Sequence, residues 1–190
     1  VTILRLSDMW LFTGHCAHSL NCERWKSGCG NCPDLNLYPP ISKDSTKENL
    51  ERKLKIYKKS KLYISTPSRW LMEKVKRSIL RYAAVDYKII PTGIDLSHFK
   101  PGNKMNLRKM LDIPCSDKVI LIIKSGFQAY KWDIPKDFFS KLDNMLSKKQ
   151  KTTVIVIGCN KTYKSFKNIS IKSVNKITEK ENMRNYYQLS

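Results

Sequence analysis

Apolar and polar positions alternate along the chain in a way that marks out two series of short strands and amphipathic helices. Residues 1–6 (VTILRL) predict a buried strand. Residues 33–43 (PDLNLYPPISK) are a connector, because two adjacent prolines exclude regular structure. A helix is predicted from Ser45, where Ser45 and Glu48 have capping-box spacing and the apolar stripe is Leu50, Leu54 and Tyr57. The lysines between positions 53 and 61 read as its solvated face. Residues 62–65 predict a strand and Ser68 an N-cap, with Trp70, Leu71 and Val75 at helical spacing beyond it. A strand at 87–90 then runs into Pro91-Thr92-Gly93-Ile94-Asp95, a turn in which Gly93 can take a positive φ. Strand, helix and strand in about 30 residues form a βαβ unit, which implies a parallel sheet.

A second series follows. Residues 99–117 read as a linker with one short helix at 104–111, stopped by Pro114. The continuous apolar runs 119–123 (VILII) and 153–157 (TVIVI) are strands of the kind expected where helices cover both faces of a sheet. Between them, 135–149 predicts an amphipathic helix opening on a proline, with Phe138, Phe139, Leu142 and Leu146 inward. A short strand at 169–171 and a helix capped by Thr178 and Glu181, carrying Met183, Tyr186 and Tyr187, come last. The fold class is α/β.

Charge adds a question rather than an answer. The net charge is +20, which suits a nucleic acid, an anionic membrane or a polyanionic substrate. Lysines number 28 against 8 arginines and are scattered, whereas bidentate phosphate recognition favours arginine. No run approaches ~18 apolar residues, and the first residues lack the marks of a signal peptide. A CxxC with two further scattered cysteines, Cys115 and Cys159, favours a reducing cytoplasm.

The densest chemistry lies between positions 8 and 33, DMWLFTGHCAHSLNCERWKSGCGNCP. Cys16, Cys22, Cys29 and Cys32 are spaced C-x5-C-x6-C-x2-C, with His15 and His18 beside the first. The final CxxC has the bite of a tetrahedral zinc site, and Gly28 and Gly30 let the backbone wrap a metal. The wide first spacing departs from a standard zinc ribbon. A disulfide pair, or reduced thiols packed as small apolar groups, are the competing readings.

This block resembles a segment of bacterial family 4 glycosyltransferases, retaining enzymes of the two-domain GT-B fold, in which HDMWxFTGGCxYxxxCxRWxxGCGNCP is common. Asp8, Met9, Trp10, Phe12, Thr13, Gly14, the four cysteines, Arg24, Trp25, Gly28, Gly30, Asn31 and Pro33 match it. Ser7 stands where many members have histidine, and His15 where many have a second glycine. Residues 66–78 (TPSRWLMEKVKRS) resemble the family's TPSxWLxxxVxxS, and 91–101 (PTGIDLSHFKP) its PNGIDxxxFxP. The resemblance implies parts of two Rossmann-like domains. Residues 1–98 would be the end of the acceptor-side domain with a cysteine-rich insert at 15–33, 99–117 the linker, and 118–190 the start of the donor domain. Members are about twice this length, so the expectation is an internal fragment with little transferase activity by itself.

The same resemblance assigns sites. The sugar-nucleotide diphosphate would meet Ser125, Gly126 and Lys131, with Lys124 as a substitute point charge where the family has an arginine. The acceptor side would be Ser7, Asp8, Thr13 and Gly14. Catalytic residues stay unassigned, with Asp8 and His15 as candidates; Ser7 can hydrogen-bond but cannot shuttle a proton near neutral pH. Asp8 reads equally as a turn residue satisfying backbone N–H groups. Trp10 and Phe12 read as core, and Thr92 and Asp95 as structural. Lys148, Lys149 and Lys151 form a basic patch that either touches anionic lipid or completes a helix end. The implied partners are a nucleotide-sugar donor and a cell-surface glycan or lipid-linked acceptor, in the cytoplasm or at the inner membrane face. No cofactor is required for the chemistry, and a zinc at the cysteines would be structural. Two rivals remain: a zinc-stabilised basic nucleic-acid-binding module, and a non-catalytic remnant acting as an interaction partner.

Overall fold

A computed structural model describes residues 1–123, 137–146, 151–160 and 162–189. The chain divides into two compact units, Val1–Gly93 and Ile94–Ser190. Each is built on a three-stranded, fully parallel sheet, so the molecule is α/β with parts of Rossmann-like domains.

The first unit holds β1 (Thr2–Arg5), α1 (Thr46–Tyr57), β2 (Leu62–Thr66), α2 (Arg69–Lys76) and β3 (Ala84–Ile89), in sheet order β1-β2-β3. A 3-10 turn at Ile79–Tyr82 precedes β3, which begins three residues before the expected strand. The buried strand expected at 1–6 is corrected. As a sheet edge, β1 leaves Thr2, Ile3 and Arg5 exposed, and Leu6 beyond it enters the core. Ile3 and its register partner Tyr63 lie on an exposed face, while Ile64 is buried on the other. One core forms there from Leu50 and Tyr57 of α1, Leu71 and Val75 of α2, and Leu6, Met9, Phe12 and Trp25 of the loop after β1.

Capping differs from expectation at α1. Ser45 makes no side-chain cap; instead Asp44 Oδ1 accepts from the Thr46 N–H at 3.0 Å and from the Thr46 hydroxyl at 2.6 Å. At α2 Ser68 caps as expected, accepting from the Leu71 N–H. Trp70 faces solvent, and Met72 takes an inward position beside Leu71 and Val75. Gly93 lies outside the left-handed region, so its expected positive φ is not used.

The second unit holds α3 (Lys104–Met110), β4 (Lys118–Ile123), α4 (Phe138–Met145), β5 (Thr152–Ile157), β6 (Ile169–Val174) and α5 (Lys180–Tyr187). β5 is central, flanked by β4 and β6, and is buried along its whole length. Its period of two sends Val154 and Val156 to a core with Phe138, Phe139 and Leu142 of α4. Ile155 and Ile157 go to the opposite core with Ile113, Leu189 and Met183. The β4 run is only half-buried, because it is an edge in this sheet. The segment 99–117 contributes Leu107, Leu111 and Ile113 to the second core. At α5 the expected Thr178–Glu181 cap is replaced: Glu181 pairs with Arg184 at 2.9 Å, and Tyr187 is exposed. Residues 135, 136 and 147–149 of the expected long helix lie outside the described residues. No described helix is long and apolar enough to cross a membrane.

Candidate functional site

The carboxyl end of a parallel strand is where ligands meet this kind of sheet. At the end of β1, Ser7 is exposed and Asp8 half-exposed. Asp8 Oδ1 accepts from the Trp10 N–H at 2.8 Å, which opens a 3-10 turn at Trp10–Phe12. The turn sends Phe12 inward, edge-on to Trp25 with ring centroids 5.5 Å apart. Trp10, read as core, is instead 46% exposed and lies under the Lys53 ammonium at 4.9 Å. Trp70 is also exposed, stacked near His18 with Lys74 5.0 Å from its ring.

Lys53 is not part of a solvated face. Its ammonium donates to the carbonyls of Trp10 at 2.6 Å and Thr13 at 2.9 Å, and Tyr57 donates its hydroxyl to the Leu11 carbonyl. Burial lowers the Lys53 pKa against the opposing pull of Cys29, Cys16 and Asp8. α1 thus holds the carbonyls that the turn leaves unpaired.

Thr13 and Gly14 are buried and work as scaffold. The Thr13 hydroxyl donates to the Cys16 carbonyl at 2.6 Å. A Cβ on Gly14 would come within 2.5 Å of Thr46 Cβ and 2.7 Å of the Thr46 carbonyl oxygen, so only glycine allows the loop this close to α1. His15 is 3% exposed, with Nδ1 3.1 Å from the Pro39 carbonyl and Nε2 3.3 Å from Cys32 Sγ. It therefore lies away from solvent, whereas the other catalytic candidate, Asp8, sits at the strand end.

All four cysteines of the block are free thiols and line one small cavity of about 20 Å³, together with His15 and Trp25. Cys16 is buried and the other three are half-buried. Burial pushes the Cys29 thiol up to about 11, the other cysteines add to the rise, and a hydrogen bond from the Gly14 backbone opposes it. Burial likewise raises Cys16. The backbone around the CxxC is pinned from outside. Arg24 donates to the carbonyls of Gly30 and Asn31, Gly30 N–H donates to Thr46 Oγ1 at 3.0 Å, and Cys32 N–H donates to Asp44 Oδ2 at 2.7 Å. As the side chains stand among the described residues, no three His, Cys, Asp or Glu groups converge as a ready metal site.

Asp44, Thr46, Lys53 and Arg24 were not singled out for these roles from the sequence. Asp44 had a readable signal, since it precedes Ser45 and Thr46 and all three are cap-forming types. The other three act across sequence separations of up to 43 residues, which no local pattern encodes. Thr92 and Asp95 are structural as expected. Arg5 donates to Thr92 Oγ1 and the Ile90 carbonyl, and Asp95 Oδ1 closes a turn on Ser97 and His98. The donor-side residues Lys124, Ser125, Gly126 and Lys131 lie outside the described residues, as do Lys148 and Lys149. Lys151 donates to the Lys167 carbonyl.

No protein-family profile matches the chain. Over 53 residues it is 42% identical to the Escherichia coli (strain K12) protein named as a colanic acid biosynthesis glycosyl transferase, WcaC. That segment is 28% of this chain and 13% of the relative. The likeness to a glycosyltransferase is therefore found by comparison as well as read from the motifs, and the chain spans well under two thirds of the relative it matches.

Proposed function

We propose that this chain is part of a retaining family 4 glycosyltransferase of GT-B architecture. It would move a sugar from a nucleotide donor to a cell-surface glycan or a lipid-linked acceptor at the inner membrane face. The observation that carries the reading is the 42% identity to a glycosyl transferase, in a chain that also has two parallel α/β sheets. Parallel sheets present their carboxyl-end loops to ligands, and two such sheets supply one edge for each substrate.

On this reading residues 124–131 take the donor. Gly126, with no side chain of its own, would leave the diphosphate room beside Ser125, and Lys131, with Lys124, would offset the charge that builds on the leaving nucleoside diphosphate. The chemistry needs no metal, because these ammonium groups do the work of a cation. Ser7 and Asp8, at the exposed end of β1, face the acceptor. Asp8 already holds the Trp10 N–H, so its carboxylate is oriented before any substrate arrives. Thr13 and Gly14 hold the loop that follows, through the Cys16 carbonyl and the close approach to Thr46.

The test is sugar-nucleotide turnover by the whole protein that carries this chain. UDP-, GDP- and dTDP-sugars would be offered with lipid-linked acceptors, and release of nucleoside diphosphate followed. Lys131→Ala is expected to lower kcat/KM about 100-fold, the scale of losing one charge-stabilising donor. Product with retained anomeric configuration supports the reading. No binding or turnover of any sugar nucleotide would overturn it.

A further inference from the structure

We propose that Cys16, Cys22, Cys29 and Cys32 bind one soft divalent cation, with zinc the natural occupant, as a structural clasp on the loop between β1 and α1. The inference is independent of the transferase reading, since it concerns how this loop is held and not what the sheet edges bind.

Four observations carry it. All four cysteines reach the same cavity although they are spread over 17 residues of chain, and none is paired in a disulfide. The cavity, about 20 Å³, has room for a single atom-sized occupant and no more. The CxxC backbone is already bent into a knuckle, with φ of 146° at Gly28, 118° at Gly30 and 47° at Asn31. Its carbonyls and N–H groups are taken by Arg24, Thr46 and Asp44, so the backbone is fixed while the sulfurs have only weak partners. Cys32 Sγ, for example, meets among the described residues the Asp34 carbonyl at 3.5 Å and His15 Nε2 at 3.3 Å.

Length gives the physical need. Between Thr13 and Ser45 the chain has no strand or α-helix, only a 3-10 turn at Arg24–Lys26. Connections beyond about 12–15 residues without structure of their own are uncommon, and a tetrahedral thiolate site is a known way to fix one. The thiols of this loop do not converge as they stand, so binding requires them to draw together in the cavity. The step releases four protons: four thiols and one M²⁺ give a tetrathiolate of net charge −2. Arg24, which lines the cavity, and Lys53, whose ammonium lies on the Thr13 carbonyl, are the cations that offset this charge.

The test is metal analysis of the reduced protein, followed by cobalt substitution. One zinc per chain is expected, and cobalt should give tetrahedral visible bands with sulfur-to-cobalt charge transfer of four thiolates. Each of Cys16→Ser, Cys22→Ser, Cys29→Ser and Cys32→Ser should weaken cobalt binding at least tenfold, while Cys115→Ser and Cys159→Ser leave it unchanged. Zinc removal should speed amide exchange in residues 13–45 and leave residues 152–157 as they were. No metal taken up by fully reduced protein would overturn the proposal. A spectrum of three sulfurs and one nitrogen, lost with His15→Gln but kept with Cys22→Ser, would overturn the four-cysteine ligand set.

Discussion

Gly14 shows how much of this loop depends on single atoms. Its missing Cβ lets the loop after β1 pass α1 at a distance no side chain permits, because the obstruction at Thr46 includes backbone oxygen. Gly14→Ala should therefore cost about 1–3 kcal/mol, the scale of forcing extra volume into a packed site, read from the urea midpoint of unfolding. An unchanged midpoint would mean that α1 and the loop can move apart freely. The sequence marked Gly14 only through a motif match, and the contact that makes it necessary joins residues 32 positions apart in the chain. Phe12 was legible as core because its neighbours are apolar. Trp10 was not legible as a surface residue, since the same two-residue spacing fits both sides of a short turn. Four cysteines with irregular spacing do not announce that they share a cavity; only the fold around Arg24 and Thr46 brings them to it.

At the scale of elements, the strand-helix alternation was readable and the details at element ends were less so. β2, α2 and β5 lie close to where apolar runs and the Ser68 cap put them. β1 and β4 read as buried because apolar runs do not reveal which strand is an edge. The start of α1 is the clearest misreading, because Asp44, Ser45 and Thr46 are all competent caps and the carboxylate wins by also reaching Cys32 N–H. Asp44→Ala should lower the thermal midpoint, and Ser45→Ala should leave it unchanged. Hydrogen bonds from Thr46 and Cys32 hold the Asp44 carboxyl below its ordinary range. A pKa lower in the folded than in the unfolded chain means that the carboxylate's contribution is fully present above the unfolded value near 3.8. It is lost as pH falls through the folded value, so acid unfolding of Asp44→Ala should begin from a lower plateau and show a shallower loss below about pH 4. Equal acid limbs in the two variants would place the cap elsewhere.

Across the whole molecule, the +20 charge is shared rather than focused. Val1–Gly93 carries 17 Lys and Arg against 8 Asp and Glu, and Ile94–Ser190 carries 19 against 8. A protein that reads nucleic acid gathers its cations on one face or helix and favours arginine for the bases. Some of the cations are held by the chain's own oxygen atoms: Arg5 on Thr92, Arg24 on the knuckle, Lys53 on the turn, Arg108 on the Pro114, Cys115 and Asp117 carbonyls. The net positive charge is divided almost evenly between the two units. It should hold a 20-base-pair duplex only through counterion release, with Kd of about 10⁻⁵ M near physiological salt and no preference between unrelated sequences. Fluorescence anisotropy across a salt series measures both. Nanomolar binding that survives 200 mM salt and discriminates between sequences would restore the nucleic-acid reading. Weak, sequence-blind binding that vanishes with salt leaves the charge as a general attraction toward anionic partners, a nucleotide diphosphate among them.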